Sequence, residues 1–273
     1  MTRLPPLLRY PGGKYAMAPK IGPYIAGDIY VESYGGSAAM LFFRERSRYE
    51  IYNDLSDLAW NFMTVFRDRS GELVRKIRYT PWGANEHELC FQWHDDPLER
   101  ARRFYFRCWS SIRPFDEKSP GFRRQKKLSG GMTPAVKAFA RVEHLPILAD
   151  RLRGVVLENR PALEIIEDYD SPQTIHFVDP PFLGDVRANE GQDLYDVEMK
   201  DEESHRELAE ALNVAKGAIV LCGYKSKLYT ELYEANGWDR RDLKVRVNGG
   251  GESVESLWIN KAHPLHLRNG RLL

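Results

Sequence analysis

The residues best suited to chemistry are Asp179-Pro180-Pro181-Phe182, which follow the mostly apolar run Ile175-His176-Phe177-Val178. Read as a strand, that run delivers an acid, two prolines and an aromatic ring at its carboxyl end, where open α/β sheets bind ligands. The prolines fix the backbone and remove two N–H donors. The carbonyl of Pro180 is then left to accept from a ligand, and Phe182 is held in a set direction. An acid, a fixed carbonyl and an aromatic plate suit a planar base with an exocyclic amine. A proline-terminated strand with no ligand uses the same residues.

A second group is Tyr30-Val31-Glu32-Ser33-Tyr34-Gly35-Gly36-Ser37-Ala38-Ala39. A strand ends in an acid, a glycine turn follows, and small residues open a helix. Glycines let the backbone approach a ligand, and a helix N-terminus favours anionic groups. Asp54 lies about twenty residues on, where doubly wound folds place the acid that holds a ribose. Together these read as a nucleoside-cofactor pocket, although a plain turn has the same composition. A third stretch, Leu8-Arg9-Tyr10-Pro11-Gly12-Gly13-Lys14, lacks the G-x-x-x-x-G-K-[ST] spacing of a phosphate loop. Between Arg100 and Lys127 there are ten basic residues against two acids. With a net charge of only +1, that reads as a polyanion-facing segment on a neutral body. A solvated helix face is the alternative.

The elements that must hold these groups alternate between strand and helix. Ile29–Ser33, Tyr49–Tyr52, Gly154–Leu157, Thr174–Val178 and Gly217–Cys222 read as strands. Leu55–Phe66 and Glu202–Ala215 carry apolar residues at helical spacing. Leu243–Val247 and Ser256–Asn260 read as a closing strand pair around Asn248-Gly249-Gly250-Gly251. Such alternation predicts an α/β fold with a parallel-rich sheet. Residues 1–67 and 151–273 form that body, and the aromatic, basic, mostly helical stretch 68–150 is an insert. At 273 residues and 42% hydrophobic, the chain has material for a real core. No apolar run approaches a membrane span and no signal-like start is present. Cys90, Cys108 and Cys222 are odd in number and far apart, which points to reduced thiols in the cytoplasm. Cys90 and His94, with His87 nearby, are too few for a closed zinc site, so no metal is expected. Asp179 or Asp185 with Glu198-Met199-Lys200 is a weak nuclease-like pattern, and the Glu198–Glu203 run is better read as a solvated helix start.

Taken in order, these motifs resemble the Dam-type, alpha-class DNA adenine-N6 methyltransferases. That family carries a G-G-K element, a glycine-rich motif, a target-recognition insert and then D-P-P-Y. Here Arg9–Lys14, Tyr34–Ser37, the insert and Asp179–Phe182 follow in that order. Gly217–Tyr224 and Glu255–Asn260 also resemble the family, so the likeness spans nearly the whole chain. It implies a Rossmann-like S-adenosylmethionine-dependent methyltransferase sheet with an inserted, mostly helical target-recognition module. Tyr10, Lys14, Asp54 and Asp179 would line the S-adenosyl-L-methionine pocket, with Glu32, Tyr34, Gly35 and Ser37 at its glycine-rich edge. Arg9 stands where the family has a DNA-touching lysine. Three departures stand out: Tyr34-Gly35-Gly36-Ser37 replaces F-x-G-x-G, Phe182 replaces tyrosine, and Arg160-Pro161 stands where an acid is common.

The resemblance implies methyl transfer to the N6 amine of an adenine in a short duplex DNA sequence. Asp179, Pro180, Pro181 and Phe182 would be the catalytic group, and the target base would be flipped onto Phe182. Arg113, Arg123, Arg124, Lys126 and Lys127, in a loop near Gly121 and Gly130-Gly131, would contact DNA with Arg9. The partner is double-stranded DNA, at the nucleoid of a prokaryotic or phage-infected cell, with or without a separate restriction endonuclease, as monomer or dimer. An RNA or protein methyltransferase shares the same tetrad. A decayed scaffold that only binds DNA is the non-enzymatic alternative, against which the intact Lys14, Asp54 and Asp179 argue.

Overall fold

A computed structural model describes residues 4–124, 134–184, 195–246 and 252–265. Seven strands form one sheet: β1 (Ile29–Glu32), β2 (Tyr49–Asn53), β3 (Val156–Glu158), β4 (Thr174–Val178), β5 (Ala218–Gly223), β6 (Asp239–Arg246) and β7 (Glu252–Ile259). Their spatial order is β3-β2-β1-β4-β5-β7-β6. The first five are parallel, and β7 runs antiparallel to both β5 and β6. From β1 the chain steps to β2 on one side, while β4 pairs β1 on the other. The carboxyl ends of β1 and β4 therefore flank the point where the strand order reverses, which is where open α/β sheets bind ligands.

The helices are α1 (Ala18–Ile21), α2 (Ala39–Phe43), α3 (Asp57–Asp68), α4 (Ser70–Arg78), α5 (Ala84–Leu89), α6 (Pro97–Ser110), α7 (Pro134–Ala140), α8 (Leu145–Arg151), α9 (Ala162–Asp168), α10 (Glu202–Val214) and α11 (Lys227–Leu232). Strand periodicity divides them into two layers. Tyr30, Tyr52, Ile175 and Phe177 face one side of the sheet and share a core with α2, α3 and the helices of 68–150. Val178, Ile219 and Leu221 face the other, against α10 and α11. Among the described residues no helix is long and apolar enough to cross a membrane, and all three cysteines are free and buried.

Local chemistry explains most boundaries. The helix expected over Leu55–Phe66 starts at Asp57, because the Ser56 hydroxyl accepts the Ala59 N–H and caps it. Asp96 caps α6 at Leu98, with Pro97 at its first position. Asp201 caps α10. β3 starts two residues later than the expected Gly154–Leu157 and ends one later, because Gly154 takes φ +79° and ends a turn. The terminal pair is longer than Leu243–Val247 and Ser256–Asn260, since the charged start Asp239-Arg240-Arg241-Asp242 also pairs with β7. The turn expected at Asn248–Gly251 lies outside the described residues.

The middle stretch is helical, and it packs on the body instead of standing apart. Phe62 and Phe66 of α3 stack, and Phe62 meets Phe104 and Tyr105 of α6. The chain's return to the sheet is tied by buried Glu50 of β2. Its carboxylate accepts from Arg44 at 2.7 Å and from Arg151 of α8 at 2.5 and 2.7 Å. Losing one partner of such a buried pair costs about 3–5 kcal/mol.

Candidate active site

A cavity of about 250 Å³ opens at the carboxyl edge of the sheet, over β1, β2 and β4. Tyr10, Lys14, Glu32, Tyr34, Gly35, Ser37, Asp54 and Asp179 all line it. The structure thus brings together every residue nominated from sequence for the cofactor pocket. They arrive from five segments: the loop before α1, the end of β1, the turn into α2, the end of β2 and the end of β4.

The turn after β1 is sterically fixed. A Cβ on Gly35 would lie 2.1 Å from the Tyr52 ring. That ring cannot swing away freely, because the Tyr52 hydroxyl donates to the Gly36 carbonyl at 2.9 Å. Gly36 takes φ +49°, and Ala38, at the start of α2, takes φ 54°. A non-glycine residue in that region is strained, and such strain clusters at functional sites. Gly35→Ala is expected to lower stability by about 1–3 kcal/mol through overpacking. It should also narrow the cavity that the turn lines, so a thermal melt beside titration calorimetry with S-adenosylmethionine as probe reads both effects. Parent-like values in both measurements would show that the turn has slack.

Asp54 has two tasks. Its Oδ2 accepts the Gly36 N–H at 2.6 Å and its Oδ1 accepts the Ser56 N–H at 2.9 Å. It therefore clamps the glycine turn while lining the cavity, and burial still pushes it up to about 6 against those two bonds. Glu32 accepts from the Tyr30 hydroxyl at 2.9 Å and from Leu41 N–H at 3.2 Å. Burial outweighs both and lifts its carboxyl to about 8.

Lys14 is buried beneath Asp179. Its ammonium is 2.8 Å from Asp179 Oδ1, donates to the Gly12 carbonyl at 2.8 Å, and lies 3.6 Å from Glu255 Oε2. Burial disfavours its charge, but the two carboxylates outweigh that and hold it protonated. Asp179 is pushed up to about 6 by burial, with Lys14 opposing and Glu255 adding. Pro181 lines the cavity, whereas Pro180 and Phe182 do not. The Phe182 ring is 7% exposed. It is covered edge-on by Tyr224 at 4.9 Å and by the Lys14 ammonium at 4.9 Å. The Phe182 ring is thus already engaged by Tyr224 and Lys14 and lies outside the cavity lining, which the tetrad alone did not suggest.

Sequence reasoning missed several wall residues. Asn53 locks β2 to its neighbours, donating to the Ser33 and Arg160 carbonyls and accepting Arg160 N–H. Pro161, Ala162 and Leu163 supply an apolar wall, with the Arg160 side chain drawn away to Glu164 and Asp168. Glu198 and Glu207 add acid to the rim. Glu198 lies before α10, not in its first turn as the solvated-start reading expected; its carboxylate accepts Tyr195 N–H. Asp185 lies outside the described residues.

The basic residues divide. Arg9 and Arg123 are half-buried and near enough that the charge of Arg9 adds to burial in pushing Arg123 down to about 10. Arg123 also donates to the Ser111 carbonyl at 2.9 Å. Arg113 bonds Ser119 and pairs with Asp116, closing its own loop. Arg124 is exposed. Lys126 and Lys127 lie outside the described residues. Arg113 and Arg123 thus hold an ordered turn in place, a structural task that charge alone did not announce.

No protein-family model matches the chain, and no curated protein matches it either.

Proposed function

We propose that the protein transfers a methyl group from S-adenosylmethionine to the N6 amine of an adenine flipped out of duplex DNA. The reading rests on one observation. Eight residues nominated by motif line a single cavity at the reversal point of the sheet, with the Asp179–Lys14 pair in its wall. The donor set fits the cofactor. Asp54, Asp179, Glu198 and Glu207 line the cavity, and these acids suit a sulfonium, an ammonium and ribose hydroxyls. Pro161, Ala162 and Leu163 suit the flat face of an adenine. When bound, the cofactor supplies a methyl group already activated on a positive sulfur.

The chain's own residues then do the positioning. The lone pair of adenine N6 is delocalised into the ring. Accepting one of its hydrogens at Asp179, which lines the cavity, localises that pair and aims it at the methyl group. Held in such geometry, the two reactants need little further activation. Asp179 is the nearest carboxylate to take the proton that N6 sheds. Because Asp179 must accept, transfer should fall as it protonates. The acid limb of the rate is expected near pH 6, against about 4 for an ordinary aspartate. A rate profile that stays flat down to about pH 5 would remove Asp179 from the acceptor role.

The half-buried cationic pair Arg9 and Arg123 supports a polyanionic partner, since an adjacent phosphate relieves like-charge repulsion. Arg124→Ala, Lys126→Ala and Lys127→Ala together leave the Arg123 bonds to Ser111 intact. This triple variant should flatten the slope of log affinity against log salt by about 0.9 for each phosphate that is no longer neutralised. Binding of cognate and scrambled duplexes at several salt concentrations reads it, and an unchanged slope excludes this segment from the DNA face.

Labelled S-adenosylmethionine offered with unmethylated duplex DNA, RNA and protein tests the whole reading. Label recovered as N6-methyladenine in DNA is expected. Label in RNA or protein reassigns the substrate, and cofactor binding without any transfer reduces the protein to a binding module.

A further inference from the structure

We propose that Glu255 is a positioning residue that shares the Lys14 ammonium with Asp179, so that the cation is not held by the Asp179 carboxylate alone at the cavity. This rests on the acceptor role proposed for Asp179. The topology explains how a residue so late in the chain reaches the site. β7 lies antiparallel between β5 and β6, so its first half lies at the carboxyl edge of the parallel strands. Ser256 pairs with Gly223, the last residue of β5, and Glu255 sits one step beyond, opposite Leu243 of β6.

The ammonium of Lys14 has three donors. One reaches the Gly12 carbonyl at 2.8 Å, and Asp179 Oδ1 lies 2.8 Å from the same nitrogen as an ion pair. Glu255 Oε2 lies 3.6 Å from the same nitrogen and is buried with no hydrogen-bond partner among the described residues. A buried carboxylate oxygen without a hydrogen bond is costly, and the Lys14 charge is what makes its burial tolerable. One cation between two carboxylates leaves the trio with a net negative charge. Lys14 therefore does not fully neutralise Asp179, and a methylated amine gaining positive charge meets an anionic environment.

The other groups facing Asp179 do not substitute for Glu255. Glu32 of β1 is hydrogen-bonded by Tyr30 and Leu41. Cys222 of β5 and the Tyr229 hydroxyl of α11 are buried and held uncharged. In keeping with the geometry, Glu255 raises the proton affinity of Asp179 while Lys14 lowers it.

The test follows the Asp179 carboxyl by carbon-13 NMR during a pH titration of the full chain, with the resonance assigned through Asp179→Asn. In Glu255→Gln the midpoint is expected to fall towards the ordinary aspartate value of about 4. The acid limb of kcat should move to lower pH with it, with the cofactor KM changed far less. A structural role alone would lower the melting temperature and leave the midpoint in place. An unmoved midpoint overturns the proposal. If Glu255→Gln does not fold, Glu255→Ala is read in the same way. A shifted midpoint in a protein that methylates no nucleic acid upholds the role of Glu255 towards Asp179 and overturns the adenine reading instead.

Discussion

Asp179→Ala is expected to lower methyl transfer by about 10²–10³-fold, the cost of removing one preorganised partner of the reacting group, while the fold persists. The persistence follows from what surrounds the residue. Lys14 loses its 2.8 Å partner but keeps the Gly12 carbonyl and Glu255. The strand that carries Asp179 is buried along its whole length and paired on both sides, so it does not depend on that carboxylate. Cofactor affinity should change less than the rate, because the remaining wall from Tyr10 to Asp54 is intact. Asp179→Asn retains an oxygen that accepts from N6, so it should keep a measurable fraction of the rate that alanine loses. Single-turnover transfer with saturating cofactor, beside a thermal melt, reads both variants. If the alanine variant keeps more than about a tenth of the parent rate, a barrier change of only 1.4 kcal/mol or less, Asp179 is not the acceptor.

What the sequence revealed of this site, and what it hid, divides along one line. Asp179–Phe182 and Tyr34–Ser37 were legible because each is a strand end and a turn, with its chemistry written in consecutive residues. β4 and β5 were legible because they are buried along their length and read as mostly apolar runs, and β1 and β2 because aromatic and β-branched residues lead up to a polar end. Glu255 was visible only within a motif, since its closeness to Lys14 depends on β7 entering the sheet antiparallel, which no local pattern states. β6 was half hidden because Asp239-Arg240-Arg241-Asp242 carries charge along an edge strand, where one side faces no neighbouring strand. The basic segment was legible only as charge. Charge counts cannot tell an arginine that faces solvent from one that, like Arg113, closes its own loop through Ser119 and Asp116. Phe182 shows the same limit: its type suits a stacking plate, but its coverage by Tyr224 is a tertiary fact.

Lys14→Ala is expected to be the most damaging single change, because it acts on stability and on the site together. The parent places one buried cation between Asp179 and Glu255. Removing it leaves two carboxylates facing each other out of water, and breaking a buried pair in this way costs about 3–5 kcal/mol. Like charges so placed raise each other's proton affinity, and Asp179 already sits up at about 6 with the cation present. In the variant it goes higher, so the native state holds a proton that the unfolded chain releases near pH 4. Native stability then declines as pH rises from the ordinary carboxylate range through the raised folded value, and the loss is complete above it. The stability gap between parent and variant should therefore be wider at about pH 8 than at about pH 5. Urea unfolding of both proteins at the two pH values measures it, and an equal gap would falsify the shared-cation account. Cofactor affinity should fall by about tenfold or more, 1.4 kcal/mol, because a protonated Asp179 no longer attracts a sulfonium. Affinity for duplex DNA should change less, since Lys14 is 3% exposed and faces the cavity. Partial recovery of transfer at alkaline pH would follow from the same cause: Asp179 ionises again once the pH passes its raised value, and the acceptor returns without the lysine.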